Sequence, residues 1–134
     1  MQISEIMTKD PVVAKRDTSI YEAMRTLETE EIRHLPVVDD GEVVGILSER
    51  DVARFSRAVL LEPEAARTRL QAPVSEIMTA DPVSVEPDDD VDDAIDLMLE
   101  NRCGALPVVA GRDGALVGIV SYVDVLRAAR GHFT

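Results

Sequence analysis

Gly45-Ile46-Leu47-Ser48-Glu49-Arg50-Asp51-Val52 returns later in the chain as Gly118-Ile119-Val120-Ser121-Tyr122-Val123-Asp124-Val125. In both copies a short apolar run meets a hydroxyl, and a carboxylate follows three residues on. That reads as a strand running directly into a helix, with Ser at the N-cap. Working outward, the repetition continues. Residues 41–54 align with 114–127 with 8 of 14 positions identical, and residues 3–39 align with 74–110 with 14 of 37 identical. Ser4-Glu5-Ile6-Met7-Thr8 matches Ser75-Glu76-Ile77-Met78-Thr79, and Leu35-Pro36-Val37-Val38 matches Leu106-Pro107-Val108-Val109. The chain is therefore two copies of one unit, expected at 1–61 and 74–134, with residues 62–73 as a linker between Pro63 and Pro73.

Each copy reads as strand, helix, strand, strand, helix, an α/β (α+β) class. The first strand is expected at Val12–Ala14 and Val83–Val85. Ser19, with Glu22 three residues on, predicts a capping box. Ile20, Ala23, Met24 and Leu27 then form an amphipathic stripe, matched by Val91, Ala94, Ile95 and Met98. Strands follow at His34–Asp39 and Glu42–Leu47, joined by the turn signal Asp40-Gly41, and again near Leu106–Ala110 and Ala115–Val120. The closing helices run from Ser48 toward Leu61 and from Ser121 to about Arg130. One copy buries little apolar surface alone, so the two are expected to pack about a pseudo-twofold, with a ligand cleft between them.

Composition narrows the function. The chain has 134 residues, 26 acidic and 14 basic, and a formal charge of −12. Nucleic-acid binding needs a basic footprint and anionic membranes attract basic segments, so neither is expected. Aromatic residues are only 3%, which leaves Val, Ile, Leu, Met and Ala to build the core. One cysteine, Cys103, excludes an intrachain disulfide, and its apolar neighbours predict a buried, inert thiol. The opening residues do not read as a leader and the apolar runs are short, so a cytoplasmic protein is expected. The acidic run Asp88–Asp93 is expected to cap a helix rather than bind metal. His34 and His132 are too few for a metal site.

The chemistry sits at Ser48–Asp51 and Ser121–Asp124. N–H groups and a hydroxyl at a helix start hold an anion such as phosphate. An ionised Asp only accepts hydrogen bonds and so suits the vicinal hydroxyls of a ribose, while the preceding Ile and Val flank a flat base. The same Ser and Asp also make an ordinary helix cap, and spacing alone leaves both readings open. No His or Lys base accompanies either Ser in a nucleophile signature, so no enzyme activity is expected.

The ordered motifs Met-Thr, Leu-Pro-Val-Val and Gly-Ile-x-Ser-x-x-Asp, present twice, resemble the CBS domain (cystathionine-β-synthase domain), and two in tandem resemble a Bateman module. The resemblance covers about residues 1–130 and implies a stand-alone regulatory CBS pair. It implies an adenosine-containing ligand (AMP, ADP or ATP, with S-adenosylmethionine or NAD as further options), no required cofactor, a disc-like homodimer and a regulated partner protein. It implies two sites, each mixing the copies. One takes Ser121 and Asp124 with Thr8, Pro11, Val13, Arg33 and His34. The other takes Ser48 and Asp51 with Thr79, Pro82, Ser84, Gly104 and Ala105. Arg33 and His34 are placed as phosphate contacts, with Arg50, and less so Arg102, as the cation of the second site. The second helices, through Val52, Phe55, Val59, Val125 and Leu126, are expected to build the dimer. The competing reading is a dimerisation module with vestigial sites.

Overall fold

A computed structural model describes residues 1–133. The elements are β1 (Thr8–Lys9), β2 (Ala14–Lys15), α1 (Ile20–Thr29), β3 (His34–Asp39), β4 (Glu42–Ser48), α2 (Glu49–Leu61), α3 (Ala66–Leu70), β5 (Thr79–Ala80), α4 (Val91–Asn101), β6 (Ala105–Ala110), β7 (Ala115–Ser121) and α5 (Tyr122–Ala129). The mixed α/β class and the repeated element order follow the sequence reading.

The compact units are not the sequence repeats. One unit comprises residues 1–11 and 82–134, the other residues 12–81; we call them unit 1 and unit 2. Each repeat thus surrenders its opening segment to the other. In unit 1, β1 pairs antiparallel with β7, Thr8 opposite Ile119 and Lys9 opposite Gly118. In unit 2, β5 pairs antiparallel with β4, Thr79 opposite Ile46 and Ala80 opposite Gly45. The 3-10 turns Ile3–Glu5 and Val74–Glu76 travel with these strands and supply one fully buried side chain each, Ile3 and Val74. Ile3 packs with Val85, Ala94, Met98, Leu106, Val108 and Val120. Val74 packs with Ala14, Ala23, Leu27, Leu35, Val37 and Leu47. The exchange therefore completes each core, where burying a large aliphatic side chain contributes about 1.5–3 kcal/mol.

Within each unit the motif residues form one hairpin. β3 pairs with β4 and β6 with β7, both antiparallel. Asp40 and Gly41 turn the first at φ of 51° and 82°, the left-handed pair that matches strand twist. Gly111 to Gly114 carries the longer loop of the second copy, between Ala110 and Ala115. Both hairpins shift register just before Gly45 and Gly118, opposite Val37/Val38 and Val108/Val109, so Val44 and Val117 each bulge out of the ladder.

Several local expectations change. The first strand of copy one reduces to Ala14–Lys15, beside Val37 and Val38. That of copy two reduces to a single bridge, Val85 to Val108, with the Val85 N–H donating to the Pro107 carbonyl at 3.1 Å. Ser19 Oγ accepts from the Glu22 N–H at 3.1 Å, the serine half of the expected box. The linker carries a 3-10 turn at Pro63–Ala65 and the helix α3. Phe55 is buried, with the Arg69 guanidinium 5.4 Å from its ring centroid, and Val52 and Val125 pack on their own cores. Of the expected dimer residues Leu126 is exposed and Val59 half-buried; the other exposed large apolar groups of α2 and α5 are Leu60, Leu61 and Tyr122. Asp90 caps α4, accepting from the Asp92 N–H at 3.0 Å. Among the described residues no helix is long and apolar enough to cross a membrane.

Candidate functional site

Each motif strand ends on a Ser that caps the next helix. In unit 2, the Ser48 N–H and hydroxyl donate to Asp51 Oδ2 at 2.9 and 3.0 Å, and the Asp51 N–H donates back to Ser48 Oγ at 3.2 Å. In unit 1, Ser121 and Asp124 repeat this at 2.8, 3.1 and 3.3 Å. These are complete capping boxes, so the capping reading of the motif is realised. It does not exhaust the carboxylate. One oxygen carries the box, and the other remains outside it with its own acceptor capacity. Asp51 is 7% exposed, the one charged residue of the buried set described. Burying a carboxylate is costly without partners, and the box supplies two donors.

The surroundings differ. His34 lies opposite Ser48 in the hairpin, and the Arg33 carbonyl accepts from the Glu49 N–H at 3.0 Å. In unit 1, Ala105 lies opposite Ser121, and the Gly104 carbonyl accepts from the Tyr122 N–H at 2.9 Å. Burial pushes the His34 pKa below its ordinary value; Glu49 and Asp51 pull it up, while Arg33 and Arg50 push it down. The imidazole is therefore neutral at pH 7 and offers hydrogen bonds rather than the expected phosphate-binding charge. Arg33 and Arg50 remain as cations. In unit 1, an Arg127 guanidinium nitrogen lies 3.9 Å from Asp124 Oδ1.

The remaining expected residues distribute as follows. Thr8, Pro11, Pro82, Ser84, Gly104, Ala105, Ser121 and Asp124 belong to unit 1, and Val13, Arg33, His34, Ser48, Arg50, Asp51 and Thr79 to unit 2. Thr8 lies beside Ile119, two residues before Ser121, and Thr79 beside Ile46, two before Ser48. Val13 is 40% exposed and borders a groove of about 620 Å³ in unit 2, with Lys15, Thr18, Tyr21 and Arg25. Cys103 is half-buried rather than buried, and desolvation pushes its thiol pKa up, which keeps it protonated. Among the described residues no acidic, His or Cys group forms a metal cluster.

Sequence reasoning missed what seats the exchanged segments. A Cβ on Gly118 would lie 2.7 Å from Met7 Sδ and 2.9 Å from the Thr8 carbonyl oxygen. A Cβ on Gly45 would collide with the Met78 thioether, 2.8 Å from Cε. The glycine of Gly-Ile-x-Ser thus makes room for the Met-Thr of the other repeat. The signal was present as two motifs that occur together in both copies, but no spacing rule links residues that far apart in the chain.

A model of the CBS domain matches residues 3–58 and 74–131. The chain belongs to the CBS-domain family. It is similar to a CBS domain-containing protein of Dictyostelium discoideum, 34% identical over 92% of this chain and 88% of that one. It is also 32% identical to inosine-5′-monophosphate dehydrogenase of Methanocaldococcus jannaschii, over 92% of this chain but only 22% of that enzyme. Among solved structures, the CBS domain pair of protein MJ0100, in complex with 5′-methylthioadenosine and S-adenosyl-L-methionine, superposes with a TM-score of 0.83 at 30% identity, covering 98% of each chain. The CBS protein CBSX2 in complex with AMP gives 0.80 at 30% identity, over 96% of this chain and 95% of that one.

Proposed function

We propose that this CBS pair is a regulatory protein that binds an adenine nucleotide or related adenosine compound through Ser48–Asp51 and Ser121–Asp124. Ligand occupancy then changes the geometry of a homodimer or the activity of a partner protein. The carrying observation is the doubled Ser–Asp corner. In both copies a carboxylate is held at a helix start, with one oxygen outside the capping box. Such an oxygen accepts from ribose hydroxyls, and the adjoining helix N-terminus favours phosphate. Relatives solved with AMP, 5′-methylthioadenosine and S-adenosyl-L-methionine support the ligand class. The proposed role is binding rather than catalysis, and the donation of each Ser hydroxyl to its own Asp supports that reading. A cytoplasmic location completes the proposal.

A ligand shifts a protein between two states only by binding them unequally. Thermal shift and calorimetry with AMP, ADP, ATP, NAD and S-adenosylmethionine test the reading. At a free concentration 100 times Kd the fold gains about 2.7 kcal/mol. The complete capping boxes favour a second reading, a dimerisation module with vestigial sites, in which none of the five ligands at millimolar concentration moves the melting temperature. Leu60, Leu61 and Leu126 are the apolar groups such a dimer would cover, and light scattering at about 15 kDa would contradict it.

A further inference from the structure

The chain passes between the units twice, after Pro11 and before Pro82. Both passages use the same dipeptide, Asp10-Pro11 and Asp81-Pro82. Asp10 has φ of 46° and Asp81 of 47°, the left-handed region that non-glycine residues adopt at a cost. The following proline restricts the same residue further. Each Asp N–H donates to a bulged carbonyl, Asp10 to Val117 at 3.3 Å and Asp81 to Val44 at 3.1 Å. Upstream, Met7 and Met78 sit over Gly118 and Gly45. The strand is therefore held in register by the glycine seat, anchored at its end by the bulge, and then turned sharply at one residue.

We propose that Asp10 and Asp81 are positioning residues of the two ligand sites. Their left-handed backbone sets the direction in which each segment leaves its seat, and so fixes the proline that follows, Pro11 or Pro82, for ligand contact. This rests on the adenosine reading above. It assigns a role to residues that lie between the expected contacts Thr8 and Pro11, and Thr79 and Pro82, without being contacts themselves. Asp suits the position because its short side chain tolerates the left-handed region better than most, and it pre-organises the turn better than Gly would.

The test compares backbone-compatible and incompatible replacements by calorimetry with AMP. Asp10→Val should weaken AMP binding at least about tenfold, equivalent to about 1.4 kcal/mol. Asp10→Asn and Asp10→Gly, which accept positive φ, should rescue it to within about threefold of the parent. Asp40→Val is the control: Asp40 has φ of 51°, carries the same strain in a hairpin turn, and should leave AMP affinity unchanged while lowering stability. Should Asp10→Val fail to fold, Asp10→Ala takes its place. The proposal is overturned if the folded Val or Ala variant binds AMP like the parent, or if Asn and Gly lose as much as Val. If the parent binds neither AMP nor S-adenosylmethionine, the functional reading fails. Positioning is then read from hydrogen exchange in the free protein. Amides of Val12 to Lys15 should exchange faster in Asp10→Val and not in Asp40→Val, and equal rates would overturn it.

Discussion

The corners at Ser48–Asp51 and Ser121–Asp124 share their backbone chemistry almost atom for atom, yet differ at the four positions that flank each Ser in the hairpin and the helix start. Hydrogen bonds of 2.9, 3.0 and 3.2 Å in unit 2 become 2.8, 3.1 and 3.3 Å in unit 1. Beside the first lie His34, Arg33, Glu49 and Arg50; at the same places in the second lie Ala105, Gly104, Tyr122 and Val123. The capping box demands two residues and a helix start, so duplication preserves it. Nothing in the cap constrains the flanking side chains, which are free to diverge. The seats differ too. Gly118 faces a backbone carbonyl as well as a methionine, whereas the nearest atoms at Gly45 all belong to Met78.

The largest expected effect sharpens the comparison of cores. Ile3→Ala should lower unfolding free energy by about 2–5 kcal/mol, because Ile3 is fully buried in unit 1 although it comes from the first repeat. Val74→Ala, one methylene smaller, should cost about 1 kcal/mol less. Denaturant unfolding decides it, and a loss below that range for Ile3 would mean the opening segment is not part of that core.

The glycine seats come next. Gly118→Ala should cost about 1–3 kcal/mol, since the Thr8 carbonyl cannot move without breaking β1 from β7. Gly45→Ala should fall near the lower end, because a flexible thioether can turn away. Equal losses would break the distinction between the seats.

These two predictions concern the feature least legible in the sequence. The hairpins at His34–Asp39 with Glu42–Ser48, their left-handed turn, and the stripe of Ile20, Ala23, Met24 and Leu27 all follow from short-range periodicity and turn chemistry. The exchange of opening segments does not, since Ile3 and Leu106 are joined only by the folded chain. The Ser–Asp corners were legible because their bonds span three residues. The resemblance groups His34 with Ser121 and Asp124; its place opposite Ser48 in the hairpin and its neutral state were not legible, because the first depends on strand register and the second on burial.

A smaller effect concerns that neutral imidazole. The folded-state pKa of His34 is lowered from 6.5 by burial, so the unfolded chain binds a proton more readily. The contribution is fully present above about pH 6.5 and declines as pH falls through the unfolded value toward the folded one. His34→Gln should flatten the stability profile as pH falls below about 6.5 relative to the parent. Unit 1, with Ala105 at this place, has no equivalent term, and an identical slope in both proteins would remove His34 as its source.

The most direct test is AMP calorimetry paired with denaturant unfolding on Asp51→Ala and Asp124→Ala. Capping alone predicts that each variant loses about 1 kcal/mol of stability and binds AMP as the parent does. The ribose role predicts that loss together with a binding loss of about 1.5–3 kcal/mol at the site served by the altered residue, the other site persisting. If both variants keep the parent's AMP affinity, the Ser–Asp corners are helix caps and nothing more, and the account of this CBS pair as an adenosine-ligand sensor at those residues is wrong.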